Sequence, residues 1–324
     1  MNSVSYDVSI VICAYTEKRW NEIVAAVTSV QHQTLPAKDI IVVIDHNPAL
    51  LKRVQEDLPG ITVLENRGNK GLSGARNTGW AAAQGEIVAF LDDDAIAAAD
   101  WVENLIACYG PPEVVGVGGK IIPLWKAHRP SWFPHEFNWV VGCTYLGLPL
   151  ENARIRNLIG ANMSMRKSVL ETVGGFRESF GWNKSDSPSQ SPMKWFNHII
   201  GDEETELCIR VSQQLSGSVW LYATSAIVQH QVTSERARWA YFVGRCYDEG
   251  LGKACLARLH NSSLALSAER DYTFKVLPGG VARGMADTFL RSDPTGLLRA
   301  GAIVAGLAIT ATGYLVGRVT QRLG

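Results

Sequence analysis

Between Val8 and Leu91 the chain carries four short apolar runs, Val8–Cys13, Ile40–Ile44, Ile61–Glu65 and Ile87–Leu91, each rich in valine and isoleucine. Runs that are apolar at consecutive positions, not alternate ones, are the pattern of strands covered on both faces. The gaps hold longer stretches of helical character, Trp20–Gln33, Ala49–Glu56 and Leu72–Gln84, with Asn21, Asn47-Pro48 and Ser73 as start signals. This alternation predicts an α/β fold: a Rossmann-like, mainly parallel sheet with helices on both faces. In such sheets ligands bind at the carboxyl ends of the strands, so the residues just after each run are the candidates for chemistry.

The rhythm fails from Pro123 to Leu158, a stretch dense in rings (Trp125, Trp132, Phe133, Phe137, Trp139, Tyr145). It reads either as an elaborated surface around an acceptor or as rings filling a core under a long loop. Beyond Gly201 an acidic helix is expected over Asp202–Leu215, then two short strands at Val219–Tyr222 and Ala226–Val228, then a long basic and aromatic helix from Ser234. On that helix Arg236, Tyr241, Arg245 and Lys253 read as a solvated basic face or as an approach to an anion. The tail from Ala300 to Gly317 has no charged residue and is rich in small ones, with Arg291, Arg299, Arg318 and Arg322 flanking it. As a helix it spans about 27 Å, close to the roughly 30 Å hydrocarbon core. The expectation is membrane contact through residues 300–317; a packed hairpin or an oligomer interface is the other reading.

Composition narrows the field. Lys plus Arg and Asp plus Glu both number 31, and no basic run is interleaved with aromatics, so no nucleic-acid partner is expected. The six cysteines are scattered without zinc or redox spacing and read as reduced core residues. Met1 to Asp7 is polar and leads straight into the first apolar run, which implies a cytosolic active site.

Three carboxylates, Asp92, Asp93 and Asp94, follow the fourth run directly and so stand at the mouth of the sheet. Such a cluster repels itself unless a cation sits there, and Mn²⁺ or Mg²⁺ held by carboxylates and substrate phosphates suits a nucleotide diphosphate. Asp45 and Tyr15 stand at two other strand ends, where they could meet a base or ribose, or serve as a turn residue and a packing ring. Arg76, in the helix after Gly71-Leu72-Ser73-Gly74, could lie against phosphate or pair with a strand-end Asp. Competing motifs fail on spacing. Gly116-Val117-Gly118-Gly119 lacks the last glycine of a dinucleotide loop, Gly119-Lys120 is not a P-loop, and His135-Glu136 has Trp139 where a zincin needs its second histidine.

Taken together, Val8-Ser9-Ile10-Val11-Ile12-Cys13-Ala14-Tyr15, Ala75-Arg76-Asn77, Gly85 through Asp94, and Gly174-Gly175-Phe176 resemble family 2 glycosyltransferases of the GT-A fold, over roughly Val8 to Lys253. The resemblance implies an inverting transfer from a nucleotide-diphosphate sugar to a carbohydrate or lipid-linked acceptor. It puts Tyr15, Asp45, Arg76, Asp92 and Asp93 with the donor nucleotide, and Asp94 and Asp92 with the metal. Gly201-Asp202-Glu203-Glu204-Thr205-Glu206-Leu207 is similar to the family's acidic motif, which holds the general base. Glu204 takes the place usually occupied by Asp, which leaves the choice between Glu203 and Glu204 open. His230 resembles a further metal ligand found after the last strand. The implied organisation is a GT-A domain over 1–260, its nucleotide-sugar half ending near 122 and its acceptor half near 260, with a C-terminal helical tail over 261–324. The rival readings are a sugar nucleotidyltransferase and a non-catalytic sugar-nucleotide scaffold. An oligomer, or attachment to the cytoplasmic face of a membrane, would follow from the tail.

Overall fold

The computed structural model describes residues 6–179, 202–260 and 270–320. Its contacts divide the chain into two compact units, Met1–Ile122 with Leu150–His230, and Pro123–Pro149 with Gln231–Gly324.

The first unit is built on a nine-stranded sheet in the order β3-β2-β1-β4-β8-β6-β9-β5, with β7 paired to β9. Strands β1 (Val8–Ala14), β2 (Asp39–Ile44), β3 (Thr62–Glu65) and β4 (Ile87–Asp92) are the four apolar runs, joined by α1 (Trp20–Gln31), α2 (Pro48–Asp57) and α3 (Leu72–Ala82). They pair in parallel, with Ile12 opposite Val42 on one side and Leu91 on the other. Ile10, Ile12, Val42, Val43, Val88 and Ala89 are fully buried, as consecutive apolar positions require. Each such side chain removed from water contributes about 1.5–3 kcal/mol. The helix starts differ in part from the sequence signals. Asn47 does cap α2, accepting from Leu50 N at 3.1 Å. Asn21 lies inside α1, which is approached through a 3-10 turn at Glu17–Arg19, and Gly71, not Ser73, occupies the cap of α3.

The sheet then continues as an antiparallel half. It comprises β5 (Ala95–Ala97), β6 (Val114–Trp125), β7 (Ala153–Ile155), β8 (Asn162–Arg166) and β9 (Val219–Val232), with α4 (Trp101–Ile106), α5 (Lys167–Val173) and α6 (Glu203–Gln214). The two short strands expected near 219–228 are one strand of 14 residues. Gly201, at the head of the acidic motif, lies outside the described residues, as does Arg322.

In the second unit the aromatic stretch fills a core. Phe133 and Phe137 are buried against Phe242, with ring centroids 5.7 and 5.2 Å apart. Phe242 belongs to α7 (Trp239–Leu259), which begins later than Ser234 because residues 233–238 form turns, Arg236 N bonding to Thr233 O. Arg236 therefore precedes the helix, and Lys253 is paired with Glu249 at 3.0 Å. The tail forms α8 (Leu277–Arg291) and α9 (Thr295–Thr320). Helix α9 packs on α7 and α8, and a Cβ at Gly313 would lie 2.2 Å from the Tyr247 carbonyl, so only glycine allows that approach. Its opposite face leaves Leu297, Val304, Leu315 and Val319 exposed.

Candidate active site

The site is assembled at the carboxyl ends of β1, β2 and β4, all within the first unit. Asp92 closes β4, Asp93 and Asp94 follow, and β5 starts at once. Strand β9 runs antiparallel to β5 with His230 opposite Ala95. That register brings His230 Nε2 to 2.9 Å from Asp94 Oδ1, although 136 positions separate them in the chain. One donor atom each from Asp92, Asp94 and His230 lies within 4.8 Å of the other two. Ligands on opposite sides of an ion, at about 2.1 Å each, stand about 4.2 Å apart, so small movements would close this set on a cation. Two hard oxygens with one imidazole suit Mn²⁺ and tolerate Mg²⁺.

The acids are balanced by an arginine that the sequence reading did not single out. Arg19, four residues past Tyr15, reaches Asp93 Oδ1 at 2.6 Å and Asp94 Oδ2 at 3.2 Å. A cation just after the first strand end was the available signal. Burial, together with the neighbouring acids Asp94 and Asp92, pushes the Asp93 carboxyl up to about 7 despite Arg19. Its Oδ2 is buried and has no hydrogen-bond partner among the described residues. Tyr15 is exposed, with the Arg19 guanidinium 5.5 Å from its ring centre. Asp45 accepts from Asn66 Nδ2 at 2.6 Å and from Gly71 N at 3.0 Å, so it ties down the loop that leads into α3.

Arg76 is ion-paired with more than one acid at this edge of the sheet. It is buried, donating to Glu203 Oε1 at 2.8 Å and, more weakly, to Asp92 Oδ1 at 3.4 Å. Burial alone would lower the guanidinium, but Glu203 and Asp92 reverse the effect and hold it raised. Its position is fixed by the glycine pair. Gly175, at φ +68°, leaves no room for a Cβ beside Asn77 Oδ1, and Asn77 bonds both the N–H and the C=O of Phe176. The Phe176 ring lies 5.4 Å from the Arg76 guanidinium.

On α6, Glu203 is buried and Glu204 half-buried. Glu203 Oε2 has no hydrogen-bond partner among the described residues. Burial and the charge of Glu203 push Glu204 up to about 8, with Arg76 opposing. Glu206 is structural: fully buried, it pairs with Arg210 at 3.0 Å and Arg177 at 3.1 Å, while Arg210 also donates to Gly175 O at 2.7 Å.

The family model for glycosyl transferase family 2 matches residues 9–174. The chain is 34% identical over 257 residues to the glucosyl-dolichyl phosphate glucuronosyltransferase of Haloferax volcanii, covering 78% of each protein. It is 26% identical over 180 residues to the pre-mycofactocin glycosyltransferase of Mycobacterium tuberculosis, covering 55% of this chain and 34% of that one. Among solved structures, a mannosyltransferase of Pyrobaculum calidifontis in complex with GDP-Man and Mn²⁺ superposes with a TM-score of 0.59 at 18% identity, over 99% of this chain and 88% of that one. That likeness carries the fold. With 78% of its length matched by a relative 34% identical, and the family model covering residues 9–174, the chain belongs to glycosyl transferase family 2 and is a glycosyltransferase of the GT-A fold.

Proposed function

We propose that this enzyme transfers a sugar, with inversion and with the help of a divalent cation, from a nucleotide-diphosphate donor to the hydroxyl of a lipid-linked acceptor at the cytoplasmic face of a membrane. The observation that carries the reading is the convergence of Asp92, Asp94 and His230 beside two arginine-held acid groups. Asp92, Asp94 and His230 would hold a Mn²⁺ or Mg²⁺ ion, which would supply positive charge against the diphosphate. Tyr15 offers an exposed ring to the base, and Asp45 faces the nucleotide while holding its loop. Asp93, beside Arg19, shapes the floor under the phosphates.

Glu204 is the general base of this proposal. Glu203 is committed to Arg76, whereas Glu204 has no ion-pair partner among the described residues, and its raised proton affinity suits uptake of a hydroxyl proton near neutral pH. Inversion follows if the acceptor oxygen approaches opposite the departing diphosphate in one step. The lipid-linked acceptor is supported by the name of the Haloferax relative and by α9. Among the described residues α9 is the one helix long and apolar enough to cross a bilayer, and only 33% of its most apolar stretch is buried. Its exposed stripe would lie against the membrane.

Release of nucleoside diphosphate from a panel of nucleotide sugars, with and without EDTA, tests the core of this reading. Turnover should vanish on chelation and return with Mn²⁺ or Mg²⁺. Full activity in EDTA would overturn it.

A further inference from the structure

The second unit carries a half-open cavity of about 300 Å³, walled by the segment from Arg129 to Glu136 and by helices α8 and α9. Water takes roughly 30 Å³ per molecule, so the space admits a phosphate group with its hydration. Six titratable groups line it: three arginines, Arg129, Arg283 and Arg299, with His135 and two carboxylates, Glu136 and Asp287. Two of the arginines are already matched. Arg283 pairs with Glu136 at 2.7 Å, and Arg299 pairs with Asp287 at 2.9 Å and Asp293 at 2.8 Å.

Arg129 is different. It donates to Asn138 Oδ1 at 2.9 Å and to the Phe133 carbonyl, all neutral acceptors, and no carboxylate lies within ion-pair distance among the described residues. Burial pushes it down to about 10, with Glu136 only partly compensating and Arg299 adding repulsion. A half-buried cation with no carboxylate in direct contact among the described residues, facing a polar cavity, is stabilised when an anion enters. Helix α8 packs closely on one wall, since a Cβ at Gly280 would stand 2.5 Å from Glu136 Oε1. On the same two helices Phe289 and Leu290 of α8, and Leu297 and Leu298 of α9, are exposed.

We propose that this cavity holds the phosphate of a membrane lipid, with Arg129 as its charged contact, while the exposed apolar residues of α8 and α9 lie among the lipid chains. The assignment rests on the membrane-facing reading of α9 given above. Charge complementarity selects an anionic headgroup, and the adjoining apolar surface selects one attached to hydrocarbon.

Flotation of the full-length protein with vesicles tests it. Vesicles of phosphatidylcholine alone are compared with vesicles that also contain phosphatidic acid. Binding should be stronger to the phosphatidic acid vesicles, and Arg129→Gln should weaken it about tenfold or more, as for loss of a charge-assisted bond. Arg291→Gln, which removes an exposed arginine of α8, should cost at most about fivefold. Equal losses in the two variants would reduce the effect to surface charge and overturn the cavity. Equal binding to both vesicle types would overturn the headgroup site while leaving the apolar contact standing; binding to neither would overturn the membrane reading itself. Inorganic phosphate at matched ionic strength separates the sources on the wild-type protein, so the test survives a variant that fails to fold. Bound vesicles should persist in it, and complete displacement would identify free phosphate as the ligand instead.

Discussion

Two clusters of acidic residues sit in the same unit and look alike in sequence, yet the structure treats them in opposite ways. In the Asp92–Asp94 cluster, Arg19 is shared by Asp93 and Asp94, Asp94 also meets His230, and Asp92 remains partly open. In the Glu203–Glu206 cluster the cations close on single acids more tightly: Arg76 holds Glu203 at 2.8 Å while reaching Asp92 only at 3.4 Å, and Arg210 with Arg177 holds Glu206. Only Glu204 is left over. Carboxylates that converge with an imidazole on one point are arranged to accept a cation, whereas carboxylates each held by its own arginine are architecture, and the member outside those pairs is where proton chemistry can occur. Density of acid does not separate these roles; the partner does.

The contrast is sharpest at Asp94. Asp94→Asn preserves shape while removing a charge shared with His230, so turnover should fall by on the order of 10³-fold, several kcal/mol of transition-state stabilisation. The circular dichroism spectrum should be unchanged. A variant that retains wild-type turnover in the presence of Mn²⁺ would erase the distinction between the clusters.

Next in size is Glu204→Gln, expected to lower kcat by about 10²–10³-fold with donor affinity nearly intact. Glu203→Gln should instead weaken donor binding, by loosening Arg76. The pH profile adds a second readout. Glu204 is held up to about 8 against its ordinary 4.5, so activity should climb with pH to a plateau above about 8, and Glu204→Gln should flatten that limb. The stability sign is the reverse. The native state keeps a proton that the unfolded chain releases above 4.5, so this group's contribution is fully present below that pH and is lost as pH rises through about 8. A wild-type profile flat between pH 6 and pH 9 would remove Glu204 from the role.

Glu206→Gln is the smallest effect on chemistry and falls on stability. Breaking a buried pair leaves Arg210 uncompensated, at a cost of about 3 kcal/mol, read as a lower Tm with kcat near normal at low temperature. A normal Tm with lost turnover would make Glu206 part of the chemistry.

The parallel half of the sheet was legible because each of its strands is buried on both faces and written as a continuous apolar run. The antiparallel half was not. Strand β6 is interrupted by Gly116, Gly118 and Gly119, and β9 by Thr224 and Ser225, so neither shows a clean period. The same asymmetry governs the site. Asp92, Asp94, Tyr15 and Asp45 are found by following a strand to its end. Arg76 was noticed, but its partner Glu203 lies 127 positions away, and no local pattern encodes that meeting. Arg19 escaped because it stands on a turn whose direction only the structure gives. The grouping of residues 123–149 with 231–324 is likewise a matter of long-range ring packing, not of composition.

The pairing of Ala95 with His230 has a consequence for how such a chain can vary. Side chains on a strand alternate faces, so gaining or losing one residue within Val219–Gln229 would turn the imidazole away from Asp94, even with every other residue retained. Insertions in the connections before β9 carry no such penalty. What must be conserved for that contact is therefore strand parity, not loop length, and a chain that keeps the histidine but shifts its count from the strand start by one would keep the letter and lose its meeting with Asp94.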